Sequence, residues 1–361
     1  MRAKIITIMN KFTFYFLSLF AVVSIFSCVK TDDPIVVPPR EFAVQYASDK
    51  DSIENYLKKN YLTAVNVNGF PDIEVAKIPV NGTQTPIWSN TTYPLQSVTV
   101  TNDSRLSFFV NGKSTDVVAY KLYYLVINQG GGKSPIVTDS TFTSYKGWTL
   151  DNKIFDSNNS PIWSTYPALS QAEVSLISGY RQIVPKIKTA QSTTVGPDGT
   201  ISYNNPGIVV VFIPSALGYY NLARTGIPSY SCIVFRIRLH TLRQRDHDGD
   251  KILSFNEDLN TDGDFFNDDT DADNIPNFLD IDDDGDLFFT KAEIRKAGTG
   301  IQGLATFYPF DPIADDPSTT VNESEPKGIP AKDVGNTSDG ATPTRLRRHL
   351  DKTAIPPFAF Y

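Results

Sequence analysis

Between Asp246 and Asp286 the chain carries 16 acidic residues and one lysine, a local charge of −15 within a net charge of −7. Asp246, Asp248 and Asp250 alternate, and Glu257 follows, so acids stand at positions 1, 3, 5 and 12 of a twelve-residue loop. Asp282, Asp284, Asp286 and Glu293 repeat that spacing. Between them lie two overlapping units of a different kind. Asn260, Asp262, Asp264, Asp268 and Asp271 form one, and Asp269, Asp271, Asp273, Asn277 and Asp280 form the next. Carboxylates at every second position of a turning loop supply hard oxygen donors, which suits Ca2+ and its about six to eight oxygens at roughly 2.3–2.6 Å. Mg2+ fits less well, because it demands near-octahedral geometry and keeps its waters. Without ions such a block stays solvated and repels itself. The strict alternation and the apolar Ile252, Leu253, Phe288 and Phe289 argue instead for compact turns with a buried side. The calcium expected here is structural and couples the folding of this segment to the ion.

The rest of the chain supplies elements that could carry a second site. Aromatics make up 12% and charged residues 20% of 361 residues, a globular composition. Residues 41–62 fit a helix, with Ile53, Tyr56, Leu57 and Tyr61 at helical spacing. Runs at 98–101, 106–110 and 117–127 read as strands between Asn, Gly, Ser and Pro clusters. Gly130, Gly131 and Gly132 with Lys133 and Ser134 imitate the end of a phosphate-binding loop. Ile127 stands where its leading glycine should be, which argues against a nucleotide. Ser170 and Glu173 have the spacing of a capping box, whereas Gly179 and Pro185 make any helix in 171–190 short and broken. Asp198-Gly199 marks a hairpin turn, and 207–213 is an apolar strand closed by Pro214. Residues 231–242 alternate, with Ile233, Phe235, Ile237 and Leu239 on one face and Arg236, Arg238 and His240 on an outer, charged one. Mostly antiparallel strands with one or two helices define an α+β class.

Four blocks in this region resemble the FKBP-type peptidyl-prolyl cis-trans isomerases. Tyr145-Lys-Gly147-Trp-Thr-Leu150-Asp151-Asn-Lys-Ile-Phe155-Asp156-Ser157 is similar to the family's Tyr-Thr-Gly-x-Leu-x-Asp-Gly-x-x-Phe-Asp-Ser, with Leu150 one place late. Leu176-Ile177-Ser-Gly179-Tyr180 resembles Val-Ile-x-Gly-Trp, with Tyr180 in place of the platform Trp. Phe212-Ile213-Pro214-Ser-Ala-Leu217-Gly218-Tyr219 resembles Ile-Pro-x-x-Leu-Ala-Tyr, and Gly226-Ile227-Pro228 with Ile233-Val234-Phe235 resembles the closing loop and strand. The resemblance covers about residues 117–242 and implies an FKBP-like antiparallel sheet wrapped on a short helix. It also implies that Tyr145, Phe155, Tyr180, Tyr219 and Phe235 wall a cavity beside Ile177, whose N–H would hold a substrate carbonyl. Asp156 would be a buried acceptor inside it. Amide rotation costs about 18–20 kcal/mol because conjugation is lost. Catalysis then needs no cofactor, only tighter binding of the twisted amide than of either planar form. Two alternatives use the same residues: a binding module that grips proline-containing segments without turnover, and a structural surface lipoprotein within a larger complex.

At the N-terminus, Arg2, Lys4 and Lys11 precede an uncharged apolar run, 12–27, that ends at Cys28. At 16 residues the run is short for a membrane span, which needs about 20. The layout is that of a signal peptide, and Cys28 resembles the lipidated cysteine of bacterial lipoproteins. The following Lys30, Asp32 and Asp33 are similar to the export tags of Bacteroidetes surface lipoproteins. The expected partners are proline-containing exported polypeptides and, through the anchor, the outer membrane on its periplasmic or cell-surface side. An acidic exported chain is not expected to bind nucleic acid. The organisation read from the sequence is a signal peptide at 1–28, a tether at 29–40, a helix and β-rich extension at 41–116, and the isomerase-like domain at 117–242. Calcium repeats at 243–300 and a loop-rich tail at 301–361 follow. Arg345, Arg347, Arg348 and Lys352 in that tail form a basic patch suited to folding back on the acidic block.

Overall fold

The computed structural model describes residues 38–67, 70–102, 116–296, 306–332 and 339–356. Cys28, the apolar run before it and the expected strand at 106–110 lie outside them. The chain divides into residues 1–40 and a compact unit of 41–361. Among the described residues no helix is long and apolar enough to cross a membrane.

Helix α1, Phe42–Lys59, stops three residues before the end the periodicity predicts. Asn60 turns extended, its side chain donates to the Tyr56 carbonyl at 2.8 Å, and Tyr61 enters a strand instead. Strands β1, Asn60–Val67, and β2, Phe70–Lys77, pair as an antiparallel hairpin. Strands β3, Gln96–Thr101, and β4, Ala119–Asn128, open the main sheet. Next come β5, Ser140–Thr149, β6, Ile154–Ser164, and the short helix α2, Ser178–Ile183. The hairpin β7, Ser192–Val195, with β8, Ile201–Asn204, turns at Asp198-Gly199 as expected. Strand β9, Gly207–Ile213, keeps its expected bounds, and β10, Ile233–Arg243, completes the sheet.

The six-stranded order is β3-β4-β9-β10-β5-β6, antiparallel throughout, so the fold is α+β. β6 carries Pro161, which lacks an N–H. It sits in a register irregularity on an edge strand, where a missing ladder bond is tolerated. Strict two-residue alternation gives the central strands two buried faces. Val209, Val211 and Ile213 of β9 pack with Phe235, Ile237 and Tyr180 under α2. Ile208, Val210 and Phe212 pack on the other face with Ile53 and Leu57 of α1, Ile73 of β2 and Trp148 of β5. Each such side chain, fully buried, stabilises the fold by about 1.5–3 kcal/mol.

The second face corrects the sequence reading of β10. Its Arg236 and Arg238 do not face solvent; their side chains are 12% exposed and both meet Asp72 of β2, which is 5% exposed. His240 is buried, with Nε2 2.9 Å from Ser144 Oγ. The alternation was real, but Asp72 of the β1–β2 hairpin meets Arg236 and Arg238, and Phe142 and Tyr203 pack on His240. The capping-box reading is also corrected. α2 starts at Ser178, while the Glu173 carboxylate accepts from the Leu169 N–H and from Arg245. The tail folds back in part, with Arg348 donating to the Arg295 carbonyl and Arg347 paired with Asp311 at 2.6 Å.

Candidate functional site

β5, β6, β10, α2 with the residue before it, and the loop after β9 bring all seven resemblance-derived residues to one cavity of about 1060 Å3: Tyr145, Phe155, Asp156, Ile177, Tyr180, Tyr219 and Phe235. The register explains the convergence. Tyr145 pairs with Ile237, and Gly147 pairs with Phe235 on one side and Asp156 on the other, so these side chains share the α2 face. A Cβ at Gly147 would lie 2.5 Å from Phe155 Cζ and 2.9 Å from Phe235 Cε1, so only glycine leaves room for both rings. Gly179 serves α2 in the same way, for its added Cβ would meet Ile213 Cγ2 at 2.6 Å.

The floor is an edge-to-face cluster. The Phe235 ring lies 5.3 Å from Tyr180, 5.4 Å from Phe155 and 5.7 Å from Tyr145, at interplanar angles of 73–82°. Such pairs contribute about 0.5–1.5 kcal/mol each beyond area burial and hold ring orientation. Tyr180, where the resemblance implies Trp, is wholly buried and its hydroxyl donates to Thr143 Oγ1 at 3.1 Å. Tyr145 OH donates to Asp156 Oδ2 at 2.6 Å. Burial, and then this carboxylate, push the Tyr145 phenol up to about 12, so it remains a donor through neutral and mildly alkaline pH. Asp156 is not the buried acceptor expected; it is exposed at the rim, its one oxygen held by Tyr145. The Ile177 N–H has no acceptor among the described residues.

Helix α1 positions the remaining wall. The buried Asp49 accepts from Ser215 N at 2.8 Å and Ser215 Oγ at 2.6 Å, fixing the start of the loop that carries Tyr219. Phe42 lines the cavity and stacks on Tyr220 at 4.6 Å, and Arg224 lies 5.6 Å from the Tyr219 ring. Sequence reasoning missed Phe42, Tyr220 and Arg224. Only the first hydrophobic position of α1, next to a helix start, hinted that Phe42 had a partner outside its own helix.

The acidic segment forms four loops of one design, beginning at Asp246, Asp258, Asp269 and Asp282. In each, the N–H of residue 5 donates to the side chain of residue 3, and the N–H of residue 7 to that of residue 5. Each carries positive φ at residues 4 and 6: Gly249 and Lys251, Thr261 and Gly263, Ala272 and Asn274, Gly285 and Leu287. The middle register is thereby corrected. The second loop starts at Asp258, and Asp258-Leu-Asn260-Thr-Asp262-Gly263 was legible as an alternating loop with glycine at position 6. In this register Asp264 is residue 7 of the second loop, Asp268 accepts the Leu259 and Asn260 N–H groups, and Asn277 accepts the Thr270 N–H. The buried aromatics are also different ones. Phe288 and Phe289 are exposed, whereas Phe265 and Phe278 are buried, Phe278 packing on His247 and Phe266.

Three carboxylate groups match the loop heads: Asp246, Asp248 and Asp250; Asp269, Asp271 and Asp273; Asp282, Asp284 and Asp286. A fourth joins Asp250, Glu257 and Asp283, the last unforeseen. Glu257 and Glu293 are buried, and neither oxygen of either has a hydrogen-bond partner among the described residues. The same holds for one oxygen each of Asp248, Asp250, Asp282, Asp283, Asp284 and Asp286. Burial first, and then neighbouring carboxylates, push Glu293 up to about 9, and burial followed by Asp250 pushes Asp248 up to about 9. Buried anions facing one another without donors fit a divalent cation, which satisfies the orphaned oxygens and cancels the repulsion. Asp280, the twelfth residue of the third loop, donates no such orphan; its Oδ1 accepts from the Asp282 N–H.

The family model described as BamM C-terminal matches residues 247–321, which take in all but the first residue of the four loops and the start of the tail. No curated protein matches. Among solved structures, FkpA from Escherichia coli is similar at 25% identity over 34% of this chain and 48% of its own, with a TM-score of 0.26. A peptidyl-prolyl cis-trans isomerase from Pseudomonas syringae pv. tomato is similar at 22% identity over 34% of this chain and 76% of its own, with a TM-score of 0.27. The N-terminal domain of FKBP42 from Arabidopsis thaliana is similar at 15% identity over 38% of this chain and 96% of its own, also with a TM-score of 0.27. The shared part is about a third of this chain and about half of the E. coli protein.

Proposed function

We propose that this chain is a peptidyl-prolyl cis-trans isomerase for exported proteins, held at the outer membrane by a lipid on Cys28 and stiffened by calcium in its four-loop segment. The observation that carries the reading is the single cavity onto which Tyr145, Phe155, Asp156, Ile177, Tyr180, Tyr219 and Phe235 converge. A prolyl ring inserts over Phe235 and Tyr180, and the apolar walls strip water from the preceding amide. A twisted amide has lost conjugation and bears that loss of water better than a planar one, so the cavity binds it more tightly. The free Ile177 N–H receives a substrate carbonyl, and the Tyr145–Asp156 bond fixes the rim against which the chain lies. Asp49, through Ser215, holds the Tyr219 wall in place.

Bound calcium supplies the positive charge that lets the orphaned carboxylates stay ionised in a compact segment. Asp246, Asp248, Asp250 and Glu257 would hold it at the first loop, and Asp282, Asp284, Asp286 and Glu293 at the fourth. The test of the isomerase reading is a proline-limited refolding assay with the purified chain. Acceleration that Tyr219→Ala or Asp156→Ala abolishes supports it, and a folded chain that gives none overturns it in favour of a binding module. Mass spectrometry of the mature N-terminus checks the anchor, for which a diacylglycerol adduct on Cys28 is expected and an unmodified thiol contradicts it.

A further inference from the structure

The first and fourth loops are built alike except at their second residue. In both, the N–H of residue 2 points at the hydroxyl of residue 9: His247 N to Ser254 Oγ at 3.3 Å, and Asp283 N to Thr290 Oγ1 at 3.1 Å. In both, the N–H of residue 9 returns to the carbonyl just before the loop, Ser254 to Arg245 and Thr290 to Ile281. Residue 2 of the first loop, His247, places its ring Nδ1 2.8 Å from Ser254 Oγ and packs perpendicular to Phe278 at 5.5 Å. Residue 2 of the fourth loop, Asp283, is 2% exposed, and its carboxylate does not join its own loop head. Its ligand oxygen lies within 4.8 Å of those of Asp250 and Glu257.

Resting on the calcium reading above, we propose that Asp283 of the fourth loop completes the cation site of the first, so that one ion clamps the two ends of the array. The group of Asp246, Asp248 and Asp250 and the group of Asp250, Glu257 and Asp283 share Asp250; one oxygen each from the four aspartates, with both of Glu257, would make six, the lower bound of the roughly six to eight that Ca2+ takes. Asp283 Oδ1, Asp250 Oδ2 and both Glu257 oxygens are buried and lack any hydrogen-bond partner among the described residues. The residues bearing them are at most 3% exposed, so bulk water does not reach them. The fourth loop receives no reciprocal carboxylate, because His247 occupies the equivalent place. Among the described residues the first site therefore gathers five carboxylates and the fourth loop four of its own, with Asp271 beside Gly285 belonging to the third loop's group. Ligand charge sets calcium affinity in such loops, so the shared site fills first. Its filling orders Asp283 and with it the entry to the fourth loop, which makes the second binding step depend on the first.

Calorimetric titration of Ca2+ into the calcium-free full chain tests this. Asp283→Asn should weaken the tightest step about tenfold or more, whereas Asp284→Asn should leave that step intact and weaken a later one. In a double-mutant cycle Asp283→Asn and Glu257→Gln should be strongly non-additive, since both strip the same ion. An unchanged tightest step in Asp283→Asn, or additive losses, overturns the shared site. Where Asp283→Asn does not fold at saturating calcium, Asp283→Glu is titrated with the same expectation to a smaller degree. No calcium binding by the unaltered chain would instead overturn the calcium reading on which the proposal rests.

Discussion

Gly147→Ala should cripple the cavity while leaving the sheet folded. The added Cβ would stand 2.5 Å from Phe155 Cζ and 2.6 Å from its Cε2, against ordinary contacts of 3.4 Å or more. The half-buried Phe155 ring must therefore retreat by close to an ångström, and Phe235, buried on the other side, can give little. Overpacking of this kind costs about 1–3 kcal/mol. Gly147 does not have positive φ, so alanine also removes unfolded-state freedom and recovers about 0.4–1 kcal/mol. The net loss of stability is thus about 0–2.5 kcal/mol, which a two-state urea titration can measure. Isomerisation should fall by far more than stability, because the displaced ring enters the space a prolyl side chain would occupy. A variant that folds normally and turns over as well as the parent would refute the assignment of this cavity.

Three further outcomes follow from the packing. Asp72→Ala leaves Arg236 and Arg238 buried without their partner, and should destabilise the chain by about 3–5 kcal/mol in urea denaturation. Leu287 is 90% exposed at positive φ, so Leu287→Gly removes left-handed strain of about 1–2 kcal/mol at no packing loss, and should raise the calcium-loaded melting temperature. Burial first, and then Arg238 and Arg236, push His240 down to about 4, below its ordinary 6.5. The unfolded chain takes up that proton first, so this stability is complete above about pH 6.5 and falls as pH drops towards 4, by an amount on the order of 3 kcal/mol. His240→Gln should flatten the pH dependence of the denaturation midpoint over that window, and an unchanged slope would contradict it.

What the sequence made legible was local. Strand β9 kept its bounds because six consecutive apolar residues, rich in β-branched types, stand between Gly207 and Pro214. The cavity residues were found as four ordered blocks, and their convergence needed the antiparallel register that no single block carries. The face of β10 bearing Arg236 and Arg238 was misread because alternation reports polarity and not exposure. Its partner, Asp72, lies 164 residues earlier in the chain than Arg236. Asp283 was missed for a related reason. It stands out of phase with the alternation of its own loop and is a ligand candidate only to another. Lys251 and Leu287 stand at position 6, where the second loop has Gly263, yet both adopt the left-handed turn. The flanking side-chain-to-backbone bonds compensate for strain that sequence composition does not reveal.

The central claim is that the aromatic cavity lowers the barrier to prolyl isomerisation, and exchange spectroscopy on an aromatic-prolyl peptide tests it most directly. With a catalytic amount of the chain, magnetisation should pass between the cis and trans peptide signals far faster than the uncatalysed tens to hundreds of seconds, and Tyr219→Ala should remove the effect. Peptide signals that shift on binding while cis–trans exchange stays at the uncatalysed rate would contradict the claim and leave a protein that grips proline without turning it.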